Sequence, residues 1–108
     1  KDARTDRTEP AVARLLGVNP FLSGSSGSAV ITVIEKSHGR TSGDTVRFRE
    51  TVGFDGFTSA ILENSSGYSI TVTTTDRYTF TASSGTATTG SQRGGGKTAT
   101  VGPVTLED

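Results

Sequence analysis

The sequence contains no cysteine. This excludes a disulfide framework, a thiolate nucleophile and any metal site built on thiolates. The sequence also has no apolar run near the roughly 18 residues that a membrane-spanning helix requires, so we expect no membrane partner. Because the chain begins at Lys1 rather than at Met, we expect it to have been trimmed or processed.

An excess of basic residues is also missing. The 11 basic and 11 acidic side chains give a formal net charge of zero. Proteins that grip nucleic acid carry a basic excess, because phosphate neutralisation dominates their affinity. We therefore expect no specific nucleic-acid partner. Basic residues do occur near the N-terminus, but acidic residues alternate with them, which is typical of a solvated segment.

Large apolar side chains are few. The 108 residues fit one domain, and Val, Ile, Leu, Phe and Tyr together number 25, while Gly, Ser and Thr are abundant. Burial of each large apolar side chain contributes about 1.5–3 kcal/mol, so the core is small for the entropy that folding costs. The small core leads to the hypothesis that part of the stability of the fold comes from partner subunits.

The N-terminal segment differs from the rest of the chain. Residues 1–18 are predicted to form an extended arm, with a short helix over 10–16 that has Pro10 at its first position and stops at Gly17. Residues 19–108 are predicted to form the β domain.

The body of the chain has the pattern of short strands, which the sequence predicts at residues 29–36, 45–50, 68–74, 77–82 and 97–106. The first of these is apolar on both faces, which predicts a strand that is central or covered on both sides. Residues 68–74 and 77–82 are predicted to pair as a hairpin. The fold class is therefore mostly β, a small antiparallel β-barrel or sandwich of five to six short strands with an extended N-terminal arm.

The connections carry turn chemistry. Residues 57–62 are predicted to make one helical turn, and the Ser/Thr/Gly-rich residues 83–96 a mobile loop. His38 is the only histidine, and we expect a turn residue whose imidazole bonds a loop carbonyl. Asp44, Asp55 and Asp76 are predicted to accept hydrogen bonds from nearby backbone N–H groups.

No pattern of residues predicts catalysis or a cofactor. Gly96-Lys97-Thr98 resembles the end of a phosphate-binding loop, but position 91 is Ser where that motif needs Gly. A strand pattern follows, whereas the motif must open a helix. The carboxylates are scattered, without the alternating acidic positions of a calcium loop. We expect no enzyme activity, no metal and no cofactor.

Three aromatic residues, Phe54, Phe57 and Tyr68, lie among glycines. They could form an exposed patch for a sugar or a partner subunit, or they could close one end of a barrel. The sequence leaves both interpretations open.

Several motifs occur in an order that is more specific than any one of them: Asn19-Pro20-Phe21, Ser28 to Val33, His38-Gly39-Arg40, Gly43 to Phe48, Gly56-Phe57-Thr58, Tyr78 to Ala82 and Gly94-Gly95-Gly96. Over residues 19–101 the chain resembles a β-rich module that recurs in tailed-bacteriophage virion proteins, including tail nozzle and hub proteins. That module is often described by its likeness to a half-domain of ubiquitin-activating enzymes. Such enzymes need a catalytic cysteine, so no ubiquitin chemistry is implied here.

The resemblance implies a non-catalytic structural component of a tailed-phage virion that binds neighbouring tail subunits and forms a homo-oligomer in the particle. The alternatives are a capsid decoration or head-fibre protein, and a receptor- or glycan-binding module. The candidate partner-binding residues are Arg4, Arg7, Val12, Arg14, Leu15, Leu16, Phe54, Phe57 and Tyr68.

Overall fold

A computed structural model describes residues 14–102. Short strands dominate this part of the chain, which confirms the mostly β prediction. The elements are β1 (Arg14–Leu15), β2 (Phe21–Ser23), β3 (Val30–Ile34), β4 (Thr45–Arg49), α1 (Ser59–Leu62), β5 (Tyr68–Ser69), β6 (Thr71–Thr74), β7 (Arg77–Thr81), β8 (Arg93–Gly94) and β9 (Thr100–Gly102).

The strands form two antiparallel sheets. One has four strands in the order β1-β9-β4-β5, and the other has five in the order β6-β7-β3-β2-β8. Neither sheet closes on itself, so the predicted barrel is wrong for the described residues. Nine strands rather than five or six are present there, because pairs and triplets such as β1, β2 and β8 are too short to show an alternating pattern.

Alternation of apolar and polar residues explains which faces are buried. On β4, Val46 and Phe48 are fully buried while Thr45 and Arg49 are exposed. On β7, Tyr78 and Phe80 are buried in the same way. This is the pattern of an antiparallel sheet with one face on the core.

Strand β3 is central, as predicted, because it lies between β7 and β2. Its inner residues Ile31 and Val33 are fully buried. Of the two alternatives the central position is the one found, and the other face is only partly covered, since Val30 there is 42% exposed.

Aromatic rings from both sheets meet in one core. The ring of Phe21 on β2 meets the ring of Phe48 on β4 edge to face, with centroids 5.0 Å apart. Tyr68 on β5 stacks on Phe80 of β7 at 4.4 Å. Aromatic pairs of this kind add to the stability gained from burial alone.

The predicted hairpin is confirmed as β6 and β7. The strand predicted at 68–74, however, divides at Ile70, so that β5 pairs with β4 and β6 pairs with β7 in the other sheet. Ile70 donates its N–H to the carbonyl of Asp44 and accepts from the N–H of Gly43, which holds the crossing point. At the edge of the second sheet, the N–H of Val72 donates to Ser42 Oγ at 2.8 Å.

The helical turn predicted at 57–62 is confirmed as α1, which Thr58 caps by accepting from the N–H of Ile61. The helix predicted over 10–16 is wrong for residues 14–16, and its remainder lies outside the described residues. Arg14–Leu15 pairs with β9, and Leu16 donates its N–H to the carbonyl of Ala99 at 2.9 Å. An isolated short helix is marginal in water, whereas the edge of β9 satisfies these backbone groups directly.

Residues 83–96 have more fixed contacts than the predicted mobile loop. They contain β8, which pairs with β2, and the N–H groups of Thr89 and Gly90 both donate to the carboxylate of Asp55.

Candidate functional site

A buried carboxylate lies at the end of β3. The side chain of Glu35 is 2% exposed. Tyr78 donates its hydroxyl to Glu35 Oε1 at 2.6 Å, and Arg40 Nε donates to the same oxygen at 2.9 Å. Arg14 Nη1 donates to Oε2 at 2.9 Å. A buried charge is tolerated only when it is paired and hydrogen-bonded, and these three side chains meet that requirement.

Tyr78 and Arg40 both keep their protons beside Glu35. Burial, followed by the negative charge of Glu35 and the hydrogen bond to it, raises the pKa of Tyr78 well above its ordinary value. Burial alone would lower the pKa of Arg40, but the hydrogen bond to Glu35 and its charge, together with the interaction with Tyr78, outweigh burial and raise the pKa. Tyr78 therefore remains a phenol donor and Arg40 a cation at physiological pH.

This cluster fixes the point where the chain enters the described fold. The backbone of β1 pairs with β9, while the side chain of Arg14 reaches Glu35 at the end of β3. Arg14 was predicted to bind a partner, and the structure instead pairs it within its own chain. Its side chain is still 37% exposed, so one side of it faces solvent.

Two exposed apolar residues follow Arg14 in the chain, and a third is linked to them through the backbone. Leu15 is 61% exposed, Val18 68% and Val52 55%. The N–H of Asn19, next to Val18, donates to Gly96, and the N–H of Val52 donates to Gly95, so the backbones at both valines are held at the same pair of glycines. We call Leu15, Val18 and Val52 the entry patch. Exposed apolar side chains that occur singly are ordinary, but a group of them marks a possible contact surface.

The other predicted arm residues are placed as follows. Arg4, Arg7 and Val12 lie outside the described residues. Leu16 is half-buried and packs against the core. Among the predicted partner-binding residues 14–16, Leu15 is therefore the one that is largely exposed.

The three aromatic candidates do not form an exposed patch. Phe57 is 2% exposed and Tyr68 is 6% exposed, so both belong to the core. Phe54 is half-buried and stacks on Phe21 with centroids 6.1 Å apart. The structure favours the interpretation in which these rings fill the interior, although the interior is not that of a barrel.

Asp55 connects distant parts of the chain. Its carboxylate accepts from Ser23 Oγ at 2.7 Å, from the N–H of Thr89 at 2.7 Å and from the N–H of Gly90 at 2.9 Å. The bonds from Ser23 and then Thr89 lower its pKa. The turn role predicted for Asp55 misses these partners, because nothing in the local sequence indicates a bond that spans more than 30 residues.

The turn after β3 borders an open groove of about 580 Å³ lined by Ser37, His38, Gly39, Arg40, Val72, Thr74 and Thr75. His38 Nε2 donates to the carbonyl of Thr74 at 2.7 Å, so the predicted carbonyl contact is present, although Thr74 is the last residue of β6 and not part of a loop. The phosphate-loop look-alike runs into β9, a strand, as predicted.

Within residues 14–102, no group of three or more His, Cys, Asp or Glu side chains is arranged to hold a metal ion. The same range includes no helix with the length and apolar character needed to cross a bilayer.

No family model matches the chain, and neither the curated proteins nor the solved structures include a match.

Proposed function

We propose that this chain is a non-catalytic structural component of a tailed-phage virion, and that it binds neighbouring subunits in the tail as part of a homo-oligomer. The support from sequence is the ordered set of motifs over residues 19–101 that resembles the phage module. The structural observation that carries the proposal is the entry patch, which lies next to β1, a strand held by its pairing with β9 and by the Arg14–Glu35 ion pair.

The entry patch has the properties of a docking surface. Burial of Leu15 and Val18 against a partner would each contribute up to about 1.5–3 kcal/mol. Pairing of β1 with β9 and the ion pair of Arg14 with Glu35 already order the segment that carries Leu15, so less entropy is lost on binding.

A capsid decoration or head-fibre protein is the second candidate, because a small β domain with an N-terminal attachment segment suits either location. The receptor- or glycan-binding alternative has less support. It relied on Phe54, Phe57 and Tyr68, and two of these three rings are buried.

The test uses particles produced from the genome that encodes the chain. Leu15→Ser combined with Val18→Ser should reduce occupancy of the chain in purified particles at least about tenfold, as expected when a few kcal/mol of contact is lost. Val30→Ser is the matched control, since Val30 is 42% exposed but lies on β3 of the other sheet. Occupancy is measured by quantitative mass spectrometry.

A particle map with the chain labelled then separates tail from capsid. Normal occupancy of the double variant in particles would show that the entry patch is not the docking surface. Absence of the wild-type chain from purified particles would overturn the virion assignment itself.

A further inference from the structure

His38 is held in one protonation state by its neighbours. The ring is nearly buried, with the residue 7% exposed. Its Nε2 lies 2.7 Å from the carbonyl oxygen of Thr74, and its Nδ1 lies 2.8 Å from the backbone nitrogen of Arg40. A carbonyl can only accept, and a backbone N–H can only donate. These partners therefore assign the neutral imidazole with its proton on Nε2.

Protonation of this ring is incompatible with the observed turn. The imidazolium carries a proton on each nitrogen, so Nδ1–H would point at the N–H of Arg40. The added positive charge would also lie beside the cationic side chain of Arg40. The turn must then open at residues 38–40, because the bond between Arg40 N–H and Nδ1 is lost.

We propose that His38 is an acid-sensitive latch, whose protonation opens the turn after β3 and loosens the attachment of β1 at Glu35. The connection runs through Arg40. Its backbone is held by His38, and its side chain donates to both carboxylate oxygens of Glu35, at 2.9 and 3.3 Å. Glu35 in turn holds Arg14.

The surroundings of His38 determine how specific this response is. Tyr78 on β7 meets its ring edge to face at 5.2 Å. Asp76, in the turn between β6 and β7, accepts from the N–H of Ser37 at 2.9 Å. These contacts bring the charged groups Arg40 and Asp76 and the phenol of Tyr78 to the turn, and Arg77 pairs with Thr74 next to it. Protonation of Asp76 or of Glu35 would imitate the latch, so the test must separate both from His38.

The first measurement needs no variant. Nitrogen-15 NMR of the full chain, acidified stepwise from about pH 7.5 until the ring of His38 takes up its second proton, reports the His38 tautomer and the amide of Arg40 together. The expected result is an Nε2–H imidazole at the upper end. On acidification, exchange of the Arg40 amide, corrected for its intrinsic pH dependence, should become about tenfold faster or more as His38 gains its proton. Protonation of His38 with the Arg40 amide unchanged would overturn the proposal, and so would an Nδ1–H tautomer.

Two variants identify the titrating group. His38→Gln keeps a donor and an acceptor on its side chain but cannot take up a proton in this range. It should therefore remove the acid-induced acceleration at Arg40 and at the Leu16 amide of the β1 segment. Asp76→Asn should leave the acceleration in place. The opposite pattern, in which only Asp76→Asn removes it, would assign the effect to Asp76 and overturn the latch. Both outcomes are independent of whether the chain belongs to a virion.

Discussion

Arg14 and Glu35 are joined by an ion pair of 2.9 Å between Nη1 and Oε2, and this contact ties the first described strand to the end of β3. Arg14 belongs to the four-stranded sheet and Glu35 follows a strand of the five-stranded sheet. The pair therefore bridges the two sheets at the point where the N-terminal segment joins the fold.

Glu35→Gln should destabilise the chain strongly. The substitution removes the charge that balances Arg40, whose side chain is only 8% exposed. Removing one partner of a buried pair typically costs about 3–5 kcal/mol. The free energy of unfolding from urea titration checks this. Glu50→Gln, at an exposed position, should change it by less than about 0.5 kcal/mol, and similar values for the two variants would contradict the role given to Glu35.

Arg14→Ala should have a smaller and more local effect. The Arg14 side chain is 37% exposed, so solvent screens much of its attraction to Glu35, and we expect a loss of about 1 kcal/mol or less. The clearest sign should be faster hydrogen exchange of the Leu16 amide, which donates to Ala99. Arg49→Ala, on the exposed side of β4, serves as control. Equal exchange at Leu16 in both variants would show that β1 does not depend on the ion pair.

Asp55→Asn should alter the acid side of the stability profile. Hydrogen bonds from Ser23 and Thr89 lower the pKa of Asp55 in the folded chain below its ordinary value of 3.8. A lowered folded-state pKa gives stability that is present above the unfolded-state pKa and is lost as the pH falls through the folded-state pKa. Wild type should therefore lose stability below about pH 4, and the variant should lose less over that range while being less stable at neutral pH.

Urea midpoints between neutral pH and about pH 2.5 test the Asp55 prediction. Hydrogen exchange of the Thr89 and Gly90 amides gives a local readout, because both donate to this carboxylate. Parallel profiles for wild type and Asp55→Asn would mean that other carboxylates produce the acid dependence.

Gly94→Ala should be among the most damaging glycine substitutions. A Cβ at position 94 would lie 2.2 Å from Cβ of Phe54, so either β8 or Phe54 must move and the stacking on Phe21 is disturbed. We expect a loss of about 3 kcal/mol or more, at the upper end of overpacking effects. Gly27→Ala is the control, since nothing lies within 4 Å there and only its φ of +89° adds strain, which costs about 1–3 kcal/mol. Thermal unfolding of the two variants in parallel checks the order.

Local patterns predicted the parts of this fold that local chemistry decides. The strand pattern predicts β3, β4 and β7, the hairpin predicted from residues 68–74 and 77–82 is the one that β6 and β7 form, and the expected carbonyl contact of the single histidine is present. Each of these depends on residues that are close in sequence, where side-chain period and turn geometry are informative.

The remaining features depend on distant residues. Arg14 and Glu35 are 21 positions apart, and neither residue type signals burial, since charged side chains are rarely buried unless paired. The division of residues 68–74 between two sheets is decided at Ile70 by its bonds to Gly43 and Asp44. The helix expected at Arg14 was wrong for the same reason, because its strand partner β9 is more than 80 residues away and nothing in the local sequence indicates that pairing.

Two sheets that stay open have a consequence for how such a chain can associate. An edge strand carries a row of N–H and C=O groups on one side, and proteins commonly cover that row or place a strand from another chain against it. The side chain of Ser42 covers one of these groups, because it accepts from the N–H of Val72 on β6. A strand added at an edge is held by main-chain hydrogen bonds, which form whatever the side chains of that strand are. A chain rich in Gly, Ser and Thr can therefore extend its sheets into a neighbour without a large apolar interface.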